Sequence, residues 1–279
     1  MSTPPPASPT FWQRLGARLG WTRASYTLMS VFVAIILLIV IVWWPLVEEY
    51  FSYLDPNVPV WRQLDWLLLG IFAAMSLLIM AGADLKTDAW IVVVGTCGGL
   101  VIESWGTQTQ LWTYYTLERP PLWIIPAWPI ASLSIDRLVR LLDRHLAPAG
   151  QPALYRALYW LVFPAFYGLM LYFVWPTLDK SLTVLALLTC ALLIASPNDR
   201  RLSVLTFIAG SGLGYFLEVW GTTRQCWTYY TLQTPPFFAV LAHGLAAVAF
   251  WRSKELLQRV LARRLQRVSW VEVEQDPPR

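Results

Sequence analysis

Residues 26–47 form one apolar run, interrupted only by Thr27 and Ser30. Nothing else in the chain constrains its fold as strongly. Roughly 20 apolar residues cross the hydrocarbon of a bilayer. Backbone placed there must satisfy its own hydrogen bonds, which favours helix. The remaining sequence has the same character, with 57% hydrophobic and 14% charged residues, too apolar for an ordinary soluble domain. Further apolar stretches predict spans at about 65–83, 89–105, 121–136, 157–176, 181–197, 202–220 and 236–251. The expected fold is therefore all-α, a polytopic membrane helical bundle of about eight spans.

The basic residues give this arrangement a direction. With the N-terminus inside, 17 Lys and Arg residues fall on the inner side and 4 (Arg62, Arg119, Lys180 and Arg224) on the outer side. Lys and Arg accumulate on the cytoplasmic side of membrane proteins, so both termini are expected there. The net charge of +4 is accounted for by this topology and calls for no nucleic acid. Residues 1–25 begin Pro-rich and read as a disordered tail. Residues 252–279 read as a basic amphipathic helix, with Leu256, Leu257, Val260, Leu261, Leu265 and Val268 at helical spacing, suited to an anionic lipid surface on the inner side.

A duplication organises what lies between. Residues 103–121 read ESWGTQTQLWTYYTLERPP and residues 218–236 read EVWGTTRQCWTYYTLQTPP, at an offset of 115 with 13 of 19 positions identical. Asp84 and Asp199 repeat at the same offset. The expected domains are thus a four-helix repeat over 26–136, a basic inner loop over 137–156 and a second four-helix repeat over 157–251. The repeats would be parallel, related by an axis along the membrane normal.

The helices leading into the motif copies carry Gly95, Gly99 and Glu103, and Gly210, Gly214 and Glu218. Residues at i, i+4 and i+8 share a helix face, and glycines so spaced admit a second helix closely. Each glutamate should therefore point into the bundle. Intramembrane acids are functional candidates, and a carboxylic acid in an apolar pocket can donate a proton. Glu103, Glu218 and His243 are the candidate catalytic residues, with His243 placed as a base or relay. Trp105, Trp112, Tyr114, Tyr115, Trp128, Trp220, Trp227, Tyr229 and Tyr230 are the candidate substrate-binding residues. Their π faces attract positive charge, which suits chemistry passing through a carbocation. A structural reading stays open, because Trp and Tyr also collect at membrane interfaces and a glutamate at a helix end can lock a loop. The three cysteines form no ligand spacing, and HExxH, Walker, GxGxxG and GxSxG patterns are absent, so no metal and no cofactor are expected.

At these residues the chain resembles membrane proteins of carotenoid synthesis, namely the hydratases of acyclic carotenoids and the small membrane lycopene cyclases. The hydratase pattern of a glutamate, Gly-Thr, an aromatic-x-Tyr cluster and prolines is similar to Glu103, Gly106, Thr107, Trp112, Tyr114, Pro120 and Pro126. Residues 108–111 replace the hydratases' glycine-rich aromatic stretch. The cyclases' Pro-x-Glu-Glu motif is similar to residues 45–49, with one residue more. The resemblance implies a cofactor-independent enzyme that protonates a polyprenoid or carotenoid-type lipid as hydratase, cyclase or isomerase. Two other classes remain open: a lipid or small-amphiphile binder or transporter, and a structural or assembly subunit with membrane-protein partners.

Overall fold

The computed structural model describes residues 10–146 and 151–274. Nearly all of the regular structure is helical. In chain order the elements are α1 (Phe11–Arg18), α2 (Arg23–Val42), α3 (Trp44–Ser52), α4 (Val60–Gln63), α5 (Trp66–Met80), α6 (Leu85–Gln108), β1 (Trp112–Tyr114), α7 (Ala127–His145), α8 (Pro152–Val174), α9 (Ser181–Ala195), α10 (Arg200–Thr223), β2 (Trp227–Tyr229) and α11 (Phe237–Glu274). Of the segment expected to be a disordered tail, residues 1–9 lie outside the described residues and Phe11–Arg18 form α1.

Local chemistry explains where the main helices begin. A side-chain oxygen that accepts an amide hydrogen at a helix N-terminus satisfies one of its four free donors. Thr22 and Ser25 form a reciprocal capping box at α2. Asp65 caps α5 by accepting from the Leu68 amide at 3.1 Å. Asp84 caps α6 and Asp199 caps α10 with nearly the same backbone angles.

The expectation of about eight spans is corrected by the helix lengths and charges. Among the described residues, four helical stretches are long and apolar enough to cross a membrane: Arg23–Val42, Leu85–Gln108, Pro152–Thr177 and Arg200–Thr223. The apolar helices α5 and α9 have 15 residues each. At 1.5 Å per residue they are about 22 Å long, short of a hydrocarbon core of roughly 30 Å. α7 includes Asp136, Arg137, Arg140, Asp143 and Arg144, and α11 carries Arg252, Lys254, Glu255 and Arg259. Hydropathy in a sequence window registers an apolar stretch but not where the helix stops.

The two parallel four-helix repeats are corrected as well, since no repeat of the whole bundle is evident. The first half inserts α3 and α4 before α5, whereas only a 3-10 turn at Trp175–Thr177 separates α8 from α9. What recurs is the motif with its flanking packing. The amphipathic C-terminal segment is also not a separate helix. It continues α11, which runs unbroken for 38 residues; the side chains of residues 264–274 lie outside the description.

Glycines set the packing that positions the site. A Cβ on Gly99 would lie 2.2 Å from the Trp128 ring, and one on Gly214 would lie 2.5 Å from Cβ of His243. α6 thus meets α7, and α10 meets α11, at distances that only a missing side chain permits. An aromatic core fills the space among α8, α10 and α11, where Tyr159 stacks on Phe163 at 4.4 Å and Phe173 on Phe238 at 4.2 Å.

The end of the bundle opposite the motif is basic and tightly bonded. Arg137 donates to Asp88 at 2.7 Å, with both side chains almost fully buried. The sequence suggests only the neighbouring Asp136 as a partner; that contact also exists, at 2.7 Å. Arg140 reaches the Gly82 carbonyl, Arg201 reaches Asp143, and Arg252 reaches the carbonyls of Leu193 and Ser196. Breaking a buried ion pair from one side costs about 3–5 kcal/mol, because it strands the other charge. Arg137→Met should therefore destabilise the protein strongly, and Asp88→Asn/Arg137→Met less so. Unfolding midpoints in detergent check this order.

Candidate functional site

The duplicated motif folds into a helix end, a tight turn and a short strand. Gly106 lies against the Trp112 ring, where a Cβ would come within 1.9 Å, and Gly221 repeats this against Trp227 at 2.0 Å. Each indole can therefore fold back over its own helix. The hydroxyls of Thr107 and Thr222 donate to the carbonyls of Glu103 and Glu218, both at 2.6 Å, closing the last helical turn. β1 and β2 then pair antiparallel, with Trp112 opposite Tyr229 and Tyr114 opposite Trp227. Alternation along a strand sends side chains to opposite faces. Trp112 and Tyr114 are buried while Thr113 between them is exposed, and β2 shows the same pattern.

The buried faces converge on the two acids. Glu103 is 4% exposed and Glu218 3%. Glu103 Oε2 accepts from Trp112 Nε1 at 3.0 Å and from the Tyr114 hydroxyl at 2.9 Å. Its Oε1 accepts from Trp128 Nε1 at 3.1 Å. In the second copy Glu218 Oε2 accepts from Trp227 Nε1 at 3.0 Å, and Oε1 accepts from the Tyr229 hydroxyl at 2.9 Å. The third partner there is His243, whose Nε2 lies 2.9 Å from Oε1. Trp128 and His243 hold the same position in the duplication. Their rings stack on each other, with centroids 5.7 Å apart and planes inclined by 21°.

Both acids thus share one aromatic cage. Trp112 meets Tyr229 at 5.8 Å and Tyr114 meets Trp227 at 5.9 Å. Both carboxylates border a cavity of about 1100 Å³ that is lined largely by apolar side chains. Along α6 its wall runs from Val93 to Gln108, a rise of about 22 Å at 1.5 Å per residue. Such a volume slightly exceeds the usual range of small-molecule sites, and its length suits a chain-like ligand.

The structure gathers Glu103, Glu218, His243, Trp105, Trp112, Tyr114, Trp128, Trp220, Trp227 and Tyr229 around this cavity. Tyr115 and Tyr230 do not line it. Tyr115 is exposed beside Trp123, and the Tyr230 hydroxyl donates to the Phe173 carbonyl at 2.6 Å. Glu48 and Glu49 lie apart on α3, where they accept from Trp44 and Tyr53. His145 is exposed at the end of α7.

Two supporting contacts have no signature in the sequence. Trp105 Nε1 donates to Thr183 Oγ1 at 3.2 Å, and Thr183 bonds Thr177 at 2.9 Å. Trp220 Nε1 donates to Asp65 at 3.0 Å, and Arg224 Nε donates to the same oxygen at 2.8 Å. Burial opposes ionisation of Asp65, but the bonds from Arg224, the Leu68 amide and Trp220 outweigh it. Its carboxyl is held below the usual carboxylate range. Among the described residues no group of three or more His, Cys, Asp and Glu side chains is arranged to hold a metal.

Removing one donor from a buried acceptor costs about 1–3 kcal/mol. Trp112→Phe and Trp227→Phe should each lower stability by about this amount and by similar extents, since their bonds match. Paired unfolding measurements in the same detergent check this. Family models, curated proteins and solved structures offer no match to the chain, so the geometry of the site is the basis for reading its function.

Proposed function

We propose that this protein is a membrane-embedded, cofactor-independent enzyme that performs acid–base chemistry on an elongated apolar lipid of the polyprenoid type, carotenoids included. The observation that carries the reading is the joint placement of two buried carboxylates and one imidazole on the wall of a long apolar cavity. A proton delivered to a carbon–carbon double bond generates a carbocation. The surrounding indole and phenol faces stabilise it, each by about 0.5–2 kcal/mol. Loss of a proton from a neighbouring carbon, directly or after ring closure, returns the proton to the site and leaves an isomer or a ring. Capture by water followed by proton loss gives an alcohol. Each route balances without an external oxidant or reductant.

The chain sits in this reading as a multi-pass membrane protein with its basic end and both termini on the cytoplasmic side. Two contacts support that arrangement. The turn after α1 bonds the end of α5, with the Gly82 amide donating to the Gly20 carbonyl at 3.1 Å. Arg252 of α11 bonds the end of α9. The segments leading to both termini therefore meet the end rich in Lys and Arg.

The test is expression in a host that accumulates acyclic carotenoids, with pigment and lipid extracts resolved by mass spectrometry. Wild type should yield a new species whose mass separates hydration from isomerisation or cyclisation. General acid–base catalysis contributes about 10²–10⁴-fold, so Glu218→Gln and His243→Phe should lower its yield by that order. No new species from well-folded wild type would sink the polyprenoid reading.

A further inference from the structure

The two motif copies hold their acids with two of three hydrogen-bonding groups in common. Each acid takes an indole N–H and a phenol O–H from its own strand. They differ in the third ring, which is Trp128 for Glu103 and His243 for Glu218. An indole only donates, whereas an imidazole nitrogen either donates or accepts. Trp128 can therefore hold the Glu103 carboxylate but cannot take a proton from it. His243 can exchange one with Glu218 across a 2.9 Å contact.

We propose that proton exchange in this site belongs to the second copy alone, and that Trp128 is the positioning residue that keeps the copies distinct. A proton on His243 Nε2 passes to Glu218 Oε1, so that imidazolium and carboxylate become imidazole and carboxylic acid, with no charge gained or lost by the pair. Glu103 remains a fixed acceptor of three neutral donors. Trp128 serves both sides. Its N–H holds Glu103 at 3.1 Å, and its face supports the His243 ring, where an imidazolium gains a cation–π attraction. The other titratable groups of the cage are Tyr114, which bonds the Glu103 oxygen that Trp112 also bonds, and Tyr229, which bonds the Glu218 oxygen that faces His243. The charged residues elsewhere serve other contacts: Arg137 holds Asp88 and Arg224 holds Asp65.

This assignment rests on the acid–base reading above, but its test does not need turnover. The chain has 2 histidines, and His145 is exposed at the end of α7, which makes it an internal reference. Full-length protein labelled with ¹⁵N-histidine in detergent gives nitrogen resonances that report which ring nitrogen of each imidazole carries a proton. Glu218→Gln should move the Nε2 resonance of His243 while the His145 signals stay fixed. Glu103→Gln should leave the His243 pattern as in the wild type. Trp128→Phe, which keeps a ring face, should preserve that pattern, and Trp128→Leu should alter it. Equal effects of the two Gln variants, or none from Glu218→Gln, would overturn the division of roles. Wild-type protein in D₂O gives a second measurement independent of the variants. A deuterium-sensitive exchange signal at His243 is expected, and its absence counts against the proposal. A correct resonance pattern without any product would leave this assignment standing and remove the polyprenoid reading alone.

Discussion

The structure around the site depends on one physical demand: two carboxylates out of water must each receive hydrogen bonds from groups that cost little to bury. An uncompensated buried charge is worth several kcal/mol of penalty, and bonds to its oxygens are the remedy. The chain meets that demand with indole and phenol, whose polar atoms sit on large apolar bodies. This choice dictates the rest of the local fold. Gly106 and Gly221 give the indoles room. The short strands carry indole and phenol on one face. Gly99 and Gly214 admit the third ring from the next helix.

Acids elsewhere in the molecule are handled differently. Asp88 is paired with Arg137 at the basic end, and Asp65 with Arg224 at the other. Both of those acids cap or brace helix ends. Glu103 and Glu218 have no guanidinium partner among the described contacts, and their surroundings are aromatic. The difference separates ion pairs that hold helices together from carboxylates left addressable from a cavity.

Much of this was legible in the sequence, for reasons that can be named. The Gly–Gly–Glu spacing of four placed both acids on packed helix faces, because a helix repeats closely at that interval. The shared offset of 115 linked Trp128 with His243. Tyr115 and Tyr230 adjoin the cavity-lining tyrosines in sequence but do not line the cavity, because a strand repeats every two residues and turns Tyr114 inward and Tyr115 outward. The span count was not legible, since an apolar window of 181–197 does not reveal that α9 ends at Ala195. The Asp88–Arg137 pair joins residues 49 apart, and a contact created by tertiary packing has no local signature. Thr183 and Asp65 were invisible for the same reason.

The antiparallel pairing of β1 with β2 makes the enclosure a joint product of the two copies. Each acid takes its hydrogen bonds from its own copy, but Trp112 lies against Tyr229 and Tyr114 against Trp227, so both copies are needed to close the cage. A chain with a single copy would have to meet its twin, strand against strand, to build the same enclosure. In that homodimer both third rings would be identical by necessity. Joining the two copies in one polypeptide removes the obligation and lets a tryptophan stand on one side and a histidine on the other.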